Sequence, residues 1–115
     1  MKPFRLMRPE PKEAQVLKAV LRTFELHPLI AFAVRMNSGA AATATGGWIK
    51  FGFKGCPDIW GMTKTGRLVV CEVKRPSGKS SADQDAFLKT VLSNGGIAFI
   101  ARSPDDVLRV LEAAR

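Results

Sequence analysis

The chain has 115 residues and carries 18 Lys and Arg against 10 Asp and Glu, a net charge of +8 at pH 7. That length suits one domain with a modest core, and the ordinary apolar content excludes wholesale disorder. The charge points to a polyanionic partner, and nucleic acid fits better than a membrane surface, because the basic residues are scattered over loops and strands instead of lining one amphipathic helix.

Residues 1–12 contain Pro3, Pro9 and Pro11 with several basic residues and read as an extended, mobile arm. From Pro11 the period becomes helical: Glu13, Val16, Leu17, Val20, Leu21 and Phe24 recur at steps of three and four, with Glu13 at the head of the apolar stripe. Pro28 closes this helix. Residues 29–37 (LIAFAVRMN) read as a strand with Arg35 and Asn37 on one face at its end. The small, uncharged stretch 38–47 (SGAAATATGG) reads as a loop, and 48–55 (WIKFGFKG) mixes aromatic residues with lysines.

Two strands follow, within PDIWGMT and GRLVVCEVKR, joined by Lys64, Thr65 and Gly66. A three-residue loop ending in Gly suits a type I turn followed by a left-handed residue and a bulge. The second strand, 68–73, is apolar enough for burial on both faces. Residues 81–94 show helical spacing through Ala82, Phe87, Leu88, Val91 and Leu92, ended by Gly95 and Gly96. IAFIAR is another buried strand. Ser103 is expected to cap a last helix, with Pro104 at its first position and Asp105 and Asp106 in its first turn.

The buried second strand of the hairpin ends in Glu72 and Lys74. Side chains alternate along a strand, so Leu68, Val70, Glu72 and Lys74 share a face. If Thr63 pairs with Arg67 around the turn, Asp58 falls opposite Glu72, with Cβ atoms about 5 Å apart; a two- or four-residue loop would send Asp58 to the other face. Two carboxylates so close repel and are costly to desolvate, a cost that a divalent cation removes. Oxygen ligands favour Mg²⁺ or Mn²⁺ over zinc. Lys74 would then orient a nucleophile or stabilise charge developing on a scissile phosphate, and Glu13 is a candidate further ligand. Taken singly, each has a plain structural alternative: Glu72 and Lys74 as a solvated pair, Asp58 as a turn residue, Glu13 at the positive end of a helix dipole. The joint pattern is far more specific than its parts.

Pro57-Asp58 followed by Glu72-Val73-Lys74 resembles the PD-(D/E)XK nuclease motif. More narrowly, RMNSGA (35–40), KGCPDIWG (54–61), CEVKRPSGKSSADQDAFL (71–88) and the GGIAFIARSPDDV tail are similar to the VRR-NUC family, whose members include small stand-alone phage proteins and the nuclease module of a larger DNA-repair enzyme. The similarity runs over about 13–111, nearly all of a single nuclease domain expected at 13–115. It implies an α/β fold with a restriction-endonuclease-like core, a mixed sheet flanked by helices, and Mg²⁺- or Mn²⁺-dependent hydrolysis of phosphodiester bonds. By position it makes Asp58 and Glu72 metal ligands, with Glu13 and the carbonyl of Val73 as further ligands, Lys74 catalytic, and Gln84 a residue contacting the site or DNA. It also implies action on branched DNA such as Holliday junctions, for which two sites, and so a homodimer, are the economical answer. The aromatic stretch 48–53 offers apolar material for that interface.

Arg35, Lys50, Lys54, Arg75 and Lys79 flank these residues in sequence and are candidate phosphate contacts. Asn37 and Ser38 either touch the nucleic-acid backbone or shape a turn. Trp48 either stacks on an unpaired base or packs in the core or at a dimer interface. Competing readings are a flap-cutting or restriction-type nuclease and a non-catalytic nucleic-acid-binding module. Cys56 and Cys71 lack zinc-site spacing. With no signal peptide or long apolar segment, a cytosolic location (the host cytosol if phage-encoded), free thiols, no membrane partner and no small-molecule cofactor are expected.

Overall fold

The computed structural model describes residues 10–36 and 39–115. In chain order its elements are α1 (Glu13–Leu26), β1 (Ile30–Arg35), β2 (Gly39–Ala42), β3 (Trp48–Phe51), β4 (Ile59–Thr63), β5 (Leu68–Val73), α2 (Ala82–Ser93), β6 (Ile97–Ala101) and α3 (Pro104–Ala113). Four strands form one mixed sheet in the order β1-β4-β5-β6; β4 is antiparallel to both neighbours, and β5 and β6 are parallel. The helices cover the sheet from both sides, so the chain is an α/β fold.

Strand alternation explains how the layers assemble. Val69, Cys71 and Val73 of β5 point to one face, where they meet Val16, Leu17, Val20 and Phe24 of α1 and Val107 and Leu111 of α3. The Phe24 ring lies 5.9 Å from that of Phe99 on β6. Val70 points to the opposite face and packs with Leu88 and Val91 of α2. The strand is buried on both sides as its composition predicts, except for half-exposed Leu68 at its start. Truncating a core residue such as Leu111, which is fully buried, would cost about 2–5 kcal/mol.

The β4–β5 turn has the predicted chemistry. The Thr63 N–H donates to the Arg67 carbonyl at 2.9 Å, the Gly66 N–H donates to the Thr63 carbonyl at 2.9 Å, and Gly66 adopts φ +85°. Gly61 in β4 has a different role. A Cβ there would stand 2.5 Å from the Phe32 carbonyl oxygen, so only glycine lets β1 and β4 approach as they do.

Three local expectations change. Residues 39–42, read as loop, form β2 and pair antiparallel with β3, Gly39 opposite Phe51 and Ala42 opposite Trp48. Ala and Gly carry little strand propensity, so the side-chain pattern is silent there. The ribbon is closed instead by main-chain pairing and by Thr43, whose N–H donates to the Gly47 carbonyl and whose hydroxyl accepts the Gly47 N–H. Trp48 is not a core residue; it is 72% exposed. Ser103 precedes α3 without a side-chain cap, and the Asp106 carboxylate accepts the Arg102 N–H at 2.8 Å instead. Among the described residues no helix is long and apolar enough to cross a membrane, and both cysteines are buried free thiols.

Candidate active site

Continuing the β4–β5 register by one pair from Ile59 and Cys71 places Asp58 opposite Glu72, as the turn predicts. In an antiparallel ladder, alternate pairs exchange main-chain hydrogen bonds. By that alternation Val73 turns its N–H and C=O towards the β4 side, where the next residue is Pro57. The Pro57 carbonyl is taken by the Trp60 indole N–H at 3.2 Å, and proline has no N–H to give. The Asp58 side chain replaces the missing rung: its Oδ2 accepts the Val73 N–H at 2.8 Å. The Met36 N–H donates to the Asp58 carbonyl at 2.7 Å, tying the end of β1 to the same residue. Asp58 is thus held by main chain from both neighbouring strands.

Glu72 is 2% exposed, at the end of a central strand. Its Oε1 lies 3.7 Å from Lys74 Nζ, and the Lys74 side chain is itself largely buried. Its Oε2 is buried with no hydrogen-bond partner. Burial, then the Asp58 carboxyl close enough to share a proton, push the Glu72 carboxyl up to about 8; Lys74 opposes that rise and Glu13 adds slightly to it.

Of the remaining expected ligands, Glu13 is exposed at the first position of α1, near enough for its charge to be felt at Glu72. Among the described residues, no three His, Cys, Asp or Glu side chains converge closely enough to hold a metal ion. The donors on hand are two carboxylates and a main-chain carbonyl. That set fits Mg²⁺ or Mn²⁺, which are commonly held by one or two carboxylates with the remaining positions left to water and phosphate. The orphaned Glu72 Oε2, beside a second carboxylate, is the specific feature that such a cation would satisfy. Asp58, Glu72 and the Val73 carbonyl would hold it, and when bound it would polarise a neighbouring oxygen and acidify a bound water.

Gln84 lies in the first turn of α2, which runs back along β5 to reach the parallel strand β6; its first turn is therefore at the Glu72 end of the sheet. Its Oε1 accepts the Ser81 N–H at 2.8 Å and its N–H donates to Ser81 Oγ at 3.2 Å, a reciprocal cap. That cap fixes how the Gln84 side chain is held.

The candidate phosphate contacts divide. Arg35 is exposed at the end of β1, opposite Ile59 and so beside Asp58. Lys79 is exposed on the loop after β5. Lys54 pairs with Asp83 of α2 at 3.3 Å, and Arg75 with Glu10 at 4.0 Å, both at the surface. Asn37 and Ser38 lie outside the described residues, as do residues 1–9 of the arm and the side chain of Lys50.

Two residues without any signal in sequence periodicity organise the loop that follows Lys74. Arg102, just after β6, donates through Nη1 to the carbonyls of Arg75 at 3.1 Å, Pro76 at 3.5 Å and Gly78. Glu10, from the arm, accepts the Ser77 N–H on one carboxylate oxygen and the Ser77 hydroxyl on the other, the latter at 2.8 Å. Compared with protein-family models, curated proteins and solved structures, the chain matches none.

Proposed function

We propose that this chain is a metal-dependent nuclease that hydrolyses phosphodiester bonds in DNA, with a restriction-endonuclease-like core of the VRR-NUC kind. The observation that carries the reading is the Asp58–Glu72 pair: two carboxylates opposed across a hairpin, one with a buried oxygen lacking any partner, and Lys74 at 3.7 Å. A purely structural strand end has no need of such a pair, because an uncompensated buried carboxylate destabilises the fold. The mixed sheet, with helices on both faces and the charged strand end at its centre, supports the same reading.

In this reading Asp58 is a rigid ligand, fixed by the Val73 N–H, and Glu72 a ligand whose free oxygen faces the cation. Lys74 holds its charge beside Glu72, where it can steady a phosphate oxygen as negative charge develops. Arg35 and Lys79 add phosphate contacts that position the backbone without reading bases. The substrate class is branched DNA, which requires paired cuts and therefore two chains. Support for a homodimer comes from apolar surface: Trp48 and Ile49 on the β2–β3 ribbon are 72% and 50% exposed, and Phe32, Val34 and Met62 stand exposed on the sheet face that α2 leaves open.

The test is cleavage of a four-way junction, a flap, a splayed arm and a linear duplex, each with Mg²⁺, Mn²⁺ or EDTA. Cutting of the junction with metal only is expected. Flap cutting alone would move the assignment to a flap nuclease, and binding without cutting in any metal would leave a non-catalytic nucleic-acid-binding module.

A further inference from the structure

The loop at residues 75–78, directly after Lys74, turns three of its carbonyl groups one way. Those of Arg75, Pro76 and Gly78 converge on the Arg102 guanidinium, and the Arg75 carbonyl also accepts the Gly78 N–H at 2.9 Å. With the carbonyls collected on one side, the Ser77 N–H is presented on the other. It stands there with the Ser77 hydroxyl and the Arg75 guanidinium, and exposed Lys79 follows two residues on. A main-chain N–H, a hydroxyl and a guanidinium around one point make a seat for an oxyanion with two or more oxygens.

That seat holds an anion of the chain's own. The Glu10 carboxylate takes the N–H on one oxygen and the hydroxyl on the other, and its Oε2 lies 4.0 Å from the Arg75 guanidinium. The two Ser77 bonds hold the Glu10 carboxyl below its ordinary value against an opposing effect of burial, and Arg75 lowers it further. A carboxylate bonded this way presents the same pair of acceptor oxygens as a phosphodiester group.

We propose that Ser77 and Arg75 form a phosphate seat for the nucleic-acid backbone, and that Glu10 is an internal occupant which a backbone phosphate displaces. The inference rests on the nucleic-acid reading for its ligand, and on the loop geometry alone for the seat. The arm then acts as a competitor: every bound DNA must first release Glu10, so the arm weakens non-specific association and favours substrates that engage further contacts at the same time.

The experiment is a salt series of fluorescence-anisotropy titrations in EDTA, with a labelled duplex and a labelled four-way junction, on the native chain and on Glu10→Gln. Removing the competing charge should tighten binding about fivefold and steepen the salt dependence by about 0.9 in slope, as for one added phosphate contact. In an Arg75→Gln/Ser77→Ala background the same Glu10→Gln change should have no effect. Equal tightening in both backgrounds would reveal a general charge effect and overturn the seat, as would no change in either. Thermal midpoints within a degree or two of native are expected for Glu10→Gln, since its side chain is at the surface. A separate reading uses inorganic phosphate and the NMR shift of the Ser77 amide in Glu10→Gln, with chloride at equal ionic strength as control. A phosphate-specific shift in a chain that neither binds DNA here nor cuts it with Mg²⁺ or Mn²⁺ would uphold the seat and sink the nuclease reading. DNA binding unaffected by Glu10, with no phosphate-specific shift, would overturn the seat and leave the nucleic-acid reading standing.

Discussion

Asp58 accepts the main-chain N–H of Val73, the residue between Glu72 and Lys74, at 2.8 Å. One carboxylate oxygen of Asp58 is thereby committed to structure, and the other is the one the proposed site would use. The two functions separate by substitution. Asp58→Asn retains an oxygen able to accept the Val73 N–H and should fold with nearly native stability, yet lose cleavage by at least about a hundredfold. Asp58→Ala strands that N–H and should cost a further 1–3 kcal/mol or so of stability. Urea denaturation beside a junction-cleavage assay checks both, and native-rate cleavage by either variant would remove Asp58 from the site.

Glu72 makes the metal-free fold sensitive to pH. Its carboxyl titrates at about 8 in the folded chain, against an ordinary 4.5 when unfolded. Between those values the folded state binds the proton that the unfolded state has released. The contribution of Glu72 is therefore full below pH 4.5, falls as pH rises, and is lost above pH 8. In EDTA the thermal midpoint should drop between pH 5 and 8, and the drop should be smaller in Glu72→Gln. Mn²⁺ should restore stability chiefly at the upper end, where it competes with the fewest protons. A metal-free midpoint that rises over this range, with Glu72→Gln unchanged, would contradict the buried pair.

Lys74→Ala should abolish cleavage while leaving Mn²⁺ binding measurable by calorimetry. Binding should weaken at pH 7, because Lys74 opposes the rise at Glu72 and its loss pushes that carboxyl further up. Lys74→Arg should restore the charge but not the rate, since a planar guanidinium differs from a point charge in a largely buried setting. Complete loss of metal binding in Lys74→Ala at pH 9 would make the lysine structural.

Gly61→Ala tests how closely β1 must approach β4. With a Cβ placed 2.5 Å from the Phe32 carbonyl, the strands have to part, at about 1–3 kcal/mol. Asp58 directly precedes the same strand, and its carbonyl accepts the N–H of Met36 just after β1, so cleavage should fall together with stability. Gly66→Ala, at φ +85° in open space, should cost stability through backbone strain alone.

The opposition of Asp58 and Glu72 was legible in the sequence because every link was local: a turn with Gly at its left-handed position, a two-residue period, and a short stretch of chain between the carboxylates. The stripe of α1, the buried strand β5 and Pro104 at the start of α3 were legible for the same reason. Arg102 and Glu10 were not. Their partners lie 27 and 67 residues away along the chain, and neither interrupts a pattern where it stands. β2 was hidden by its own composition, since four small residues give no alternation to read. Gln84 shows the opposite case. Its position matched a motif, while its side chain serves the helix cap that any N3 glutamine can make.

The β4–β5 hairpin also has a consequence for the order in which the molecule folds. Its contacts are short-range, whereas the parallel β5–β6 pairing must wait for all of α2 to cross over. On that ordering the carboxylates of Asp58 and Glu72 should meet early, before β6 and Arg102 can secure the Lys74 loop. Their repulsion should then slow refolding in EDTA as pH climbs towards 8, while the larger cost of burying Glu72, which arrives only as the layers pack, should speed unfolding. A divalent cation present during refolding should speed the reaction, making the proposed cofactor also an assembly aid for the hairpin that holds it.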